Sequence, residues 1–272
     1  MARFGESQIY SPKIQGNRLA NIFLKIFGTF DTGCGSLYFM RVVKQLAEKK
    51  DFRNVLDAGC GSGTFSFWLA QQYPNAKIEA CDLSEENIEI CKEIQSRLGI
   101  RNISFFFQDL RTYRREGAFV FIFSNHVLEH IIENRMVISN LVYSIEKGGY
   151  IYIQIPTVIQ KRLSSLGKRF VRSHEEWGRK EHIGQNLTLE LLCSELHRLG
   201  CQILLAKHIE GFWGELWFEL QEMALGFLHI ELLFALLYPL LRIFGYIDSL
   251  TNCSDGNGIL VFARTSSVNS LS

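Results

Sequence analysis

Three glycines alternate with small residues in Gly59-Cys60-Gly61-Ser62-Gly63, and an aspartate, Asp57, stands just before them. This pattern allows a tight turn between a strand and a helix, and it lets a ligand approach the backbone without meeting a Cβ atom. A dinucleotide site needs the spacing G-x-G-x-x-G, whereas Thr64 occupies the expected place of the third glycine here. The Asp57 carboxylate would repel a pyrophosphate by about 1 kcal/mol or more. The loop therefore favours a ligand that carries positive charge.

Two further aspartates follow the next two apolar runs of the chain, Asp82 after the second run and Asp109 after the third. The carboxyl ends of parallel strands meet at one edge of a sheet, so these carboxylates are expected beside the glycine loop. Asp82 can accept hydrogen bonds from both ribose hydroxyls, and Asp109 can accept one from an adenine amino group. Each aspartate alone also suits a helix cap or a solvated loop. Three of them at successive strand ends indicate a nucleoside site.

Short apolar runs alternate with amphipathic stretches from Asn54 onward. This alternation predicts the α/β class, with a doubly wound, mainly parallel sheet of seven strands covered by helices on both sides. The predicted strands are Asn54–Ala58, Ala76–Cys81, Ile103–Phe107, Ala118–Phe123, Tyr150–Ile155, Cys201–His208 and Gly258–Arg264. The predicted helices include Leu19–Phe27, Leu37–Lys49, one between Ser84 and Gly99, one from about His126 to Glu146, and one after Thr188.

Breaks in this alternation predict the domain organisation. The expected parts are a helical N-terminal cap (1–50), a core (51–209 and 257–266) and an apolar helical insertion or lid (210–256). A further stretch, Gln160–Glu181, is polar and basic and is expected to form a solvated loop. We expect the cap, the loop and the insertion around the carboxyl ends of the strands, where open α/β sheets bind ligands.

Several strings of this sequence resemble the ordered motifs of class I S-adenosylmethionine-dependent methyltransferases. The string from Val55 to Gly63 resembles their first motif, and Asp82-Leu83, Gln108-Asp109-Leu110 and Ser124–His130 resemble the later ones in order and spacing. The resemblance covers about Asn54–Pro156. It implies a Rossmann-like fold, S-adenosylmethionine as the cofactor and a small-molecule acceptor. The positive charge of this cofactor agrees with the acidic residue beside the glycine loop.

The resemblance also implies a role for each matching residue. It places Gly59, Gly61 and Gly63 beside the methionine end of the cofactor and the Ser124 backbone near its ammonium group. Asp57 would orient the amino group, and Asp82 would hold the ribose. Around the adenine it implies packing by Leu83 and edge contacts from Asp109 and Leu110.

The segment His126-Val127-Leu128-Glu129-His130 has the pattern H-x-x-E-H, which also occurs in inverted zinc proteases. Its position after the fourth strand favours the methyltransferase interpretation. Some quinone-ring O-methyltransferases of this family bind a divalent metal with an acid three residues before the Glu-His pair, where this chain has His126. We therefore expect no metal. The candidate general bases are His126, His130 and His174, with His182 as a further histidine of the same loop region.

The insertion is the part of the chain that is expected to contact the methyl acceptor. Its longest uninterrupted apolar run, Leu232–Leu241, has ten residues, against about 20 for a membrane-spanning helix. The segment 212–247 therefore has three interpretations: a lid over an apolar acceptor, an interface in a homodimer, or a peripheral contact with a membrane. The basic residues of 160–181 suit a solvated loop, or a contact with an anionic acceptor or lipid headgroups.

Composition limits the classes of function. The 272 residues carry 29 Lys and Arg against 28 Asp and Glu, so no global field attracts nucleic acid, and no nucleic-acid partner is expected. Seven cysteines without finger spacing and no apolar leader at Met1–Ser11 suggest the cytoplasm. We expect O- or N-methylation of a small, largely apolar acceptor, such as a secondary metabolite, a quinone or a lipid precursor. The alternatives are a membrane-resident lipid acceptor, a non-catalytic partner subunit and, last, a dehydrogenase.

Overall fold

A computed structural model describes residues 6–12, 14–27, 34–48 and 52–266. Its strands are β1 (Asn54–Ala58), β2 (Lys77–Asp82), β3 (Ile103–Phe107), β4 (Phe119–Asn125), β5 (Ile145–Pro156), β6 (Cys201–Ile209) and β7 (Gly258–Thr265). Its helices are α1 (Arg18–Phe27), α2 (Gly35–Ala47), α3 (Thr64–Gln72), α4 (Glu85–Leu98), α5 (Asn134–Tyr143), α6 (Ser165–Phe170), α7 (Arg172–Glu181), α8 (Leu189–Arg198), α9 (Phe212–Gln221) and α10 (Glu231–Leu250). The first five residues and Lys49, which belong to the predicted N-terminal cap, lie outside the described residues.

The seven strands form one sheet in the order β3-β2-β1-β4-β5-β7-β6. β1 to β5 pair in parallel, while β7 runs antiparallel to both β5 and β6. The predicted doubly wound, mainly parallel α/β fold is thereby confirmed. Its register aligns Asp57 of β1 with Ala80 of β2 and with Phe123 of β4, so the carboxyl ends of these strands lie side by side.

Apolar side chains on both faces of the central strands explain why this sheet is covered on both sides. On β4, Phe121 and Phe123 pack into one core, whereas Ile122 packs into the other. All three are fully buried. Since side chains alternate between the faces of a strand, a continuous apolar run requires two covering layers. Helix α4 shows the predicted ends, because Ser84 Oγ accepts from the Asn87 amide and Gly99 adopts a left-handed conformation.

The predicted helix from His126 to Glu146 is wrong in its first part and at its end, where α5 stops at Tyr143 and β5 begins at Ile145. β4 continues to Asn125, and His126 then adopts φ +54° while its amide donates to the Gln154 carbonyl of β5. A 3₁₀ turn (Leu128–His130) follows, and the α-helix begins only at Asn134. Pairing with β5 therefore overrides the helical pattern around His126, and it places the histidines on a loop at the sheet edge.

The prediction of a solvated loop over 160–181 is also wrong in part, because α6 and α7 occupy most of this segment. Ser164 caps α6 by accepting from the Gly167 amide at 2.9 Å. The insertion between β6 and β7 consists of α9, a π-helical turn (Glu222–Phe227) and α10. In the described chain, one helical stretch, Leu232–Leu250, is long and apolar enough by composition to cross a membrane, and a third of it is buried.

The insertion is joined to the N-terminal helices through one buried aspartate of α10. Asp248 accepts from the Tyr38 hydroxyl at 2.5 Å, from the Glu210 amide at 3.0 Å and from the Gly214 amide at 3.0 Å. Burial, with Asp248 nearby, raises the pKa of Tyr38 well above its usual range. This network fixes α10, α9 and α2 to one another beside the sheet.

Candidate active site

A cavity of about 650 Å³ lies at the carboxyl ends of β1 to β4, and we call it the nucleoside cavity. Its size is typical of a small-molecule site. Its lining includes most of the residues predicted from the sequence: Asp57, Gly59, Gly61, Asp82, Leu83, Asp109, Leu110, His126 and His130. The strand ends therefore converge as the motif spacing predicts.

The three glycines of the turn adopt left-handed backbone conformations, with φ values of +89° at Gly59, +50° at Gly61 and +75° at Gly63. A Cβ at Gly59 would stand 2.3 Å from a Val127 methyl, so this position requires glycine for packing. A Cβ at Gly61 would meet no protein atom within 4 Å, and this residue lines the cavity. Gly63 instead packs against Phe67 and does not line the cavity. The loop leaves room for a ligand at Gly61.

Asp82 connects the glycine loop to the start of α4. Its Oδ2 accepts from the Gly61 amide at 2.8 Å, and its Oδ1 accepts from the Ser84 amide at 2.9 Å. A carboxylate oxygen has two lone pairs, so both oxygens can accept a further hydrogen bond each. The side chain therefore faces the cavity in a fixed orientation that suits a vicinal diol.

Asp57 is 3% exposed, and its Oδ2 accepts from the Ser66 hydroxyl at 2.6 Å. Burial raises the pKa of Asp57 to about 7, the Ser66 hydrogen bond lowers it, and the charge of Asp82 raises it further. A buried carboxylate in this state is stabilised by a cationic neighbour. The structure thus supports the preference for positive charge that the sequence indicates.

Asp109 is the aspartate whose surroundings differ most from expectation. Arg111 donates to both of its carboxylate oxygens, at 3.1 Å and 3.0 Å from Nε and at 2.7 Å from Nη2. This ion pair lowers the pKa of Asp109. Arg111 also lines the cavity, and the sequence reasoning missed it. An arginine two residues after the motif aspartate would have been the signal.

Three exposed apolar side chains line the nucleoside cavity. Leu83 is 59% exposed, Ile132 62% and Ile183 63%, and all three line the cavity. Large apolar groups that remain exposed around a concave site suit a flat, apolar ligand surface. Ser124 lies at the end of β4 but does not line the cavity, whereas its neighbour Asn125 does.

A second cavity, of about 350 Å³, adjoins the first, and we call it the acceptor cavity. Both cavities are lined by Phe65, Asn125, His126 and His130. Much of the remaining lining comes from the three segments that interrupt the sheet pattern, with Ser36 from α2, Trp177 from α7 and Phe218 from α9 among them, and β5 adds Gln154 and Pro156. The junction between the cavities is where a group could pass from one ligand to another.

The three predicted base candidates are placed differently. His126 and His130 lie at the junction but do not share a helix face, since only a 3₁₀ turn separates them. His126 Nδ1 lies 3.4 Å from Glu129 Oε1, and its Nε2 lies 3.2 Å from the Gln154 amide nitrogen. His174 belongs to α7, and its side chain lies outside the described part of the structure.

Arg162 lines the acceptor cavity, although the sequence reasoning placed it in a solvated loop. Its side chain is 2% exposed, and it donates to Glu175 at 3.0 Å and to both oxygens of Glu215 at 3.1 Å. Burial raises the pKa of Glu215 to about 7, and Arg162 lowers it. Within a run of basic residues nothing in the sequence marks Arg162, because its partner stands 53 positions later.

Buried polar atoms without a hydrogen-bond partner show whether a cofactor fits the nucleoside cavity. Both side-chain polar atoms of Asn125 are buried and have no hydrogen-bond partner among the described residues, although Asn125 lines both cavities. Buried amides normally have partners, so this side chain is suited to a polar ligand. Together with the space at Gly61 and the acidic side chains, it fits a cationic nucleoside ligand such as S-adenosylmethionine.

Comparisons with known proteins agree with this geometry. A family model described as a methyltransferase domain matches residues 49–207, more than half of the chain. Malonyl-[acyl-carrier protein] O-methyltransferase 1 of Ilyobacter polytropus is 31% identical over 122 residues, 42% of this chain and 44% of the relative. (S)-coclaurine N-methyltransferase of Thalictrum flavum is 24% identical over 108 residues, 40% of this chain and 30% of the relative. The chain thus spans less than half the length of these curated relatives.

Solved structures match over more of the chain. Phosphoethanolamine N-methyltransferase 2 of Haemonchus contortus, in complex with S-adenosyl-L-methionine, has a TM-score of 0.59 at 18% identity and covers 84% of this chain and 52% of that one. A geranyl diphosphate methyltransferase with bound cofactor has a TM-score of 0.53 at 15% identity, with 79% and 78% covered. Identities this low establish the fold alone. With the family model, they show that this chain belongs to the methyltransferase domain family, of the class I S-adenosylmethionine-dependent type.

Proposed function

We propose that this protein transfers a methyl group from S-adenosylmethionine to an oxygen or nitrogen of a small acceptor. The observation that carries the proposal is the junction of the two cavities at Phe65, Asn125, His126 and His130. One cavity suits a cationic nucleoside, and the other opens directly beside it. When bound, the cofactor supplies an electrophilic methyl group, so the chain's own residues need only align the acceptor and exclude water.

The cofactor would be held by the residues that line the nucleoside cavity. Asp82 binds the ribose hydroxyls, and Asp57 with the glycine loop binds the ammonium end. Leu83 and Leu110 pack on the adenine, and Asp109 accepts from its amino group. The Ser124 backbone stays a proposed neighbour of the ammonium group. This assignment follows from the chemistry of each side chain and from its place in the cavity.

The proton of a hydroxyl or amine acceptor would pass to His126. Its side chain is 46% exposed at the junction, and the nearby Glu129 carboxylate stabilises the imidazolium that forms. Gln154 Oε1 accepts from the Tyr152 hydroxyl at 2.7 Å, so the Gln154 amide donates to His126 Nε2. An acceptor proton would replace that amide proton. A carboxylate acceptor would need no base.

The acceptor cavity suits a molecule with an apolar body and one polar head. Phe65, Phe218 and Trp177 supply apolar surface, while Gln160 and Arg162 supply polar groups at its wall. Because Arg162 is already paired with two glutamates, it positions the wall rather than binding a free anion. The sequence predicts a largely apolar acceptor. Because the cavity wall also carries polar groups, the proposed acceptor is amphipathic.

Transfer of an isotopically labelled methyl group tests the proposal. Purified protein would be incubated with S-adenosylmethionine that carries a ¹³C methyl group and with small hydroxyl, carboxylate and amine acceptors. The products would then be analysed by mass spectrometry. We expect labelled product from one acceptor class and loss of that product in Asp82→Ala. A protein that binds S-adenosylhomocysteine but labels no acceptor would instead be a non-catalytic partner subunit.

The outward face of α10 supports a second proposal, a peripheral contact with a membrane. Six large apolar or aromatic side chains along this face are more than 40% exposed: Leu232, Leu236, Leu240, Ile243, Tyr246 and Leu250. A helix that is apolar on all sides is stable in water only when covered. Flotation with liposomes should carry the protein upward, and a Leu236→Glu variant should stay below. A stable dimer in solution that ignores liposomes would assign the face to a homodimer.

A further inference from the structure

Three side chains from two separate parts of the chain meet at the wall of the acceptor cavity. Glu129 and His130 follow β4, and His182 follows α7 more than fifty positions later. One potential ligand atom from each side chain lies within 4.8 Å of the other two. The two imidazole rings are 4.9 Å apart between centroids. The sequence could not place His182 in this group, because its approach depends on the fold of α7.

One oxygen of the buried Glu129 carboxylate lacks a hydrogen-bond partner among the described residues. Its side chain is 2% exposed, and although its Oε1 lies 3.4 Å from His126 Nδ1, its Oε2 has no hydrogen-bond partner among the described residues. A buried carboxylate oxygen without a donor costs free energy unless a cation or a ligand proton satisfies it. The unpartnered oxygen belongs to the same side chain that groups with the two histidines.

Each of the two histidine rings is oriented by a hydrogen bond to a neighbouring residue. His130 Nδ1 lies 3.0 Å from the Glu181 carbonyl, which can only accept, so Nδ1 carries the proton and Nε2 carries a lone pair. His182 forms a side-chain hydrogen bond with Gln185, whose Nε2 donates to the Thr157 carbonyl at 2.7 Å. Such outer hydrogen bonds, which orient imidazoles and fix their tautomers, accompany metal ligation in proteins.

We propose that Glu129, His130 and His182 bind one divalent transition-metal ion at the wall of the acceptor cavity. Two imidazoles and a carboxylate are a ligand set that leaves one position open for an exchangeable oxygen. Ligand atoms around a four-coordinate ion stand roughly 3.3–3.6 Å apart, so side-chain shifts of about 1 Å complete the site. This revises the expectation of no metal, which considered His126 and not His182.

Glu129, His130 and His182 all line the acceptor cavity, so an oxygen bound at the remaining position of the ion would come from that cavity. The metal site thus deepens the proposed function, on which this inference rests. An acceptor hydroxyl bound there would lose its proton more readily, because a metal ion lowers the pKa of a coordinated oxygen. The substrate class is therefore an acceptor with an ionisable hydroxyl on an otherwise apolar body.

Titration of the tag-free, chelator-treated protein with Mn²⁺ tests the site. Thiolates bind Mn²⁺ poorly, so the cysteines compete little. We expect one site per chain by calorimetry and quenching of Trp177, whose ring lies 6.2 Å from His130 and 5.7 Å from His182. His182→Ala should weaken binding at least tenfold, and Glu129→Gln should do so as well. His197→Ala, which removes an exposed histidine of α8, is the matched control and should bind as the wild type does.

Equal Mn²⁺ affinity in the wild type and in His182→Ala would overturn the proposal, as would the lack of saturable binding at millimolar Mn²⁺. Trp177→Phe should remove the quenching and retain the calorimetric affinity. Titrations of the same samples with S-adenosylhomocysteine separate the two claims. If this nucleoside binds and Mn²⁺ does not, the metal site is wrong and the proposed function stands. If Mn²⁺ binds and the nucleoside does not, the proposed function is wrong.

Discussion

The nucleoside cavity and the acceptor cavity are adjacent, yet they are built in different ways. The residues of the first come mainly from consecutive strand ends, so that Asp57, Asp82 and Asp109 reach it by the regular repetition of strand and helix. The second gathers residues from α2, the segment around α6 and α7, and α9. The nucleoside cavity is formed by the sheet, whereas the acceptor cavity is formed by contacts between segments that are distant in the sequence.

The two cavities also differ in the interactions that stabilise them. The glycine loop is held by hydrogen bonds between neighbouring strand ends, such as the one from the Gly61 amide to the Asp82 carboxylate, which form once β1 and β2 pair. The acceptor cavity depends on buried polar contacts between distant segments, above all the ion pair of Arg162 with Glu215 and the hydrogen bond from Tyr38 to Asp248. Variants on the acceptor side should therefore change stability, whereas variants on the nucleoside side should change ligand affinity at nearly constant stability.

The largest effect is expected for Arg162→Ala. The substitution leaves the buried Glu215 without its cationic partner, and breaking a buried pair in this way costs about 3–5 kcal/mol. Urea unfolding followed by circular dichroism would measure the loss. Arg172→Ala, which breaks an exposed pair with Glu176, is the control and should change stability by less than about 1 kcal/mol. Equal losses in both variants would mean that the buried Arg162–Glu215 pair does not stabilise the acceptor side.

The next effect concerns Asp82→Ala. Loss of the carboxylate removes the ribose acceptor and leaves the Gly61 and Ser84 amides without their partner. We expect S-adenosylhomocysteine to bind more weakly by about 1–3 kcal/mol in calorimetry. Asp255→Ala removes an exposed carboxylate that pairs with Lys161, and this control should bind normally. Unchanged affinity in Asp82→Ala would argue against the assigned ribose contact.

A smaller effect is expected from pH. The pKa of Asp57 is raised to about 7 in the free protein, so its carboxyl is mostly protonated at pH 6 and mostly ionised at pH 8. An ammonium ligand prefers the ionised carboxyl, and at pH 6 its binding must displace a proton. The affinity for S-adenosylhomocysteine should therefore fall about tenfold from pH 8 to pH 6. Asp57→Asn should abolish this dependence, and a variant that retains it would exclude Asp57 as its source.

The smallest effect is a comparison of two glycines. Gly61 and Gly99 both have positive φ, and an added Cβ would meet no protein atom within 4 Å in either place. Alanine should cost each about 1 kcal/mol of stability, because the left-handed conformation disfavours a side chain. Only Gly61→Ala should also weaken nucleoside binding, since Gly61 lines the cavity. Normal binding by Gly61→Ala would mean that no ligand approaches this turn.

The sequence predicted the nucleoside side far better than the acceptor side, for physical reasons. Strand and helix periods are local, and so are the caps at Ser84 and Thr188, which the structure confirms. The turn at His126 was missed because pairing with β5 decides it. Arg162 and His182 were not placed because each depends on a partner tens of residues away. No local pattern separates a buried arginine from its solvated neighbours.

Calorimetric titration with S-adenosylhomocysteine and, separately, with NAD⁺ tests the central claim most directly. An acidic cavity beside a glycine turn should bind S-adenosylhomocysteine, which carries an ammonium group, at one site per chain. It should reject the diphosphate, because Asp57 and Asp82 repel its charge. Saturable binding of the first ligand without heat from the second is the predicted result. Binding of NAD⁺ alone, or of neither ligand, would contradict the account.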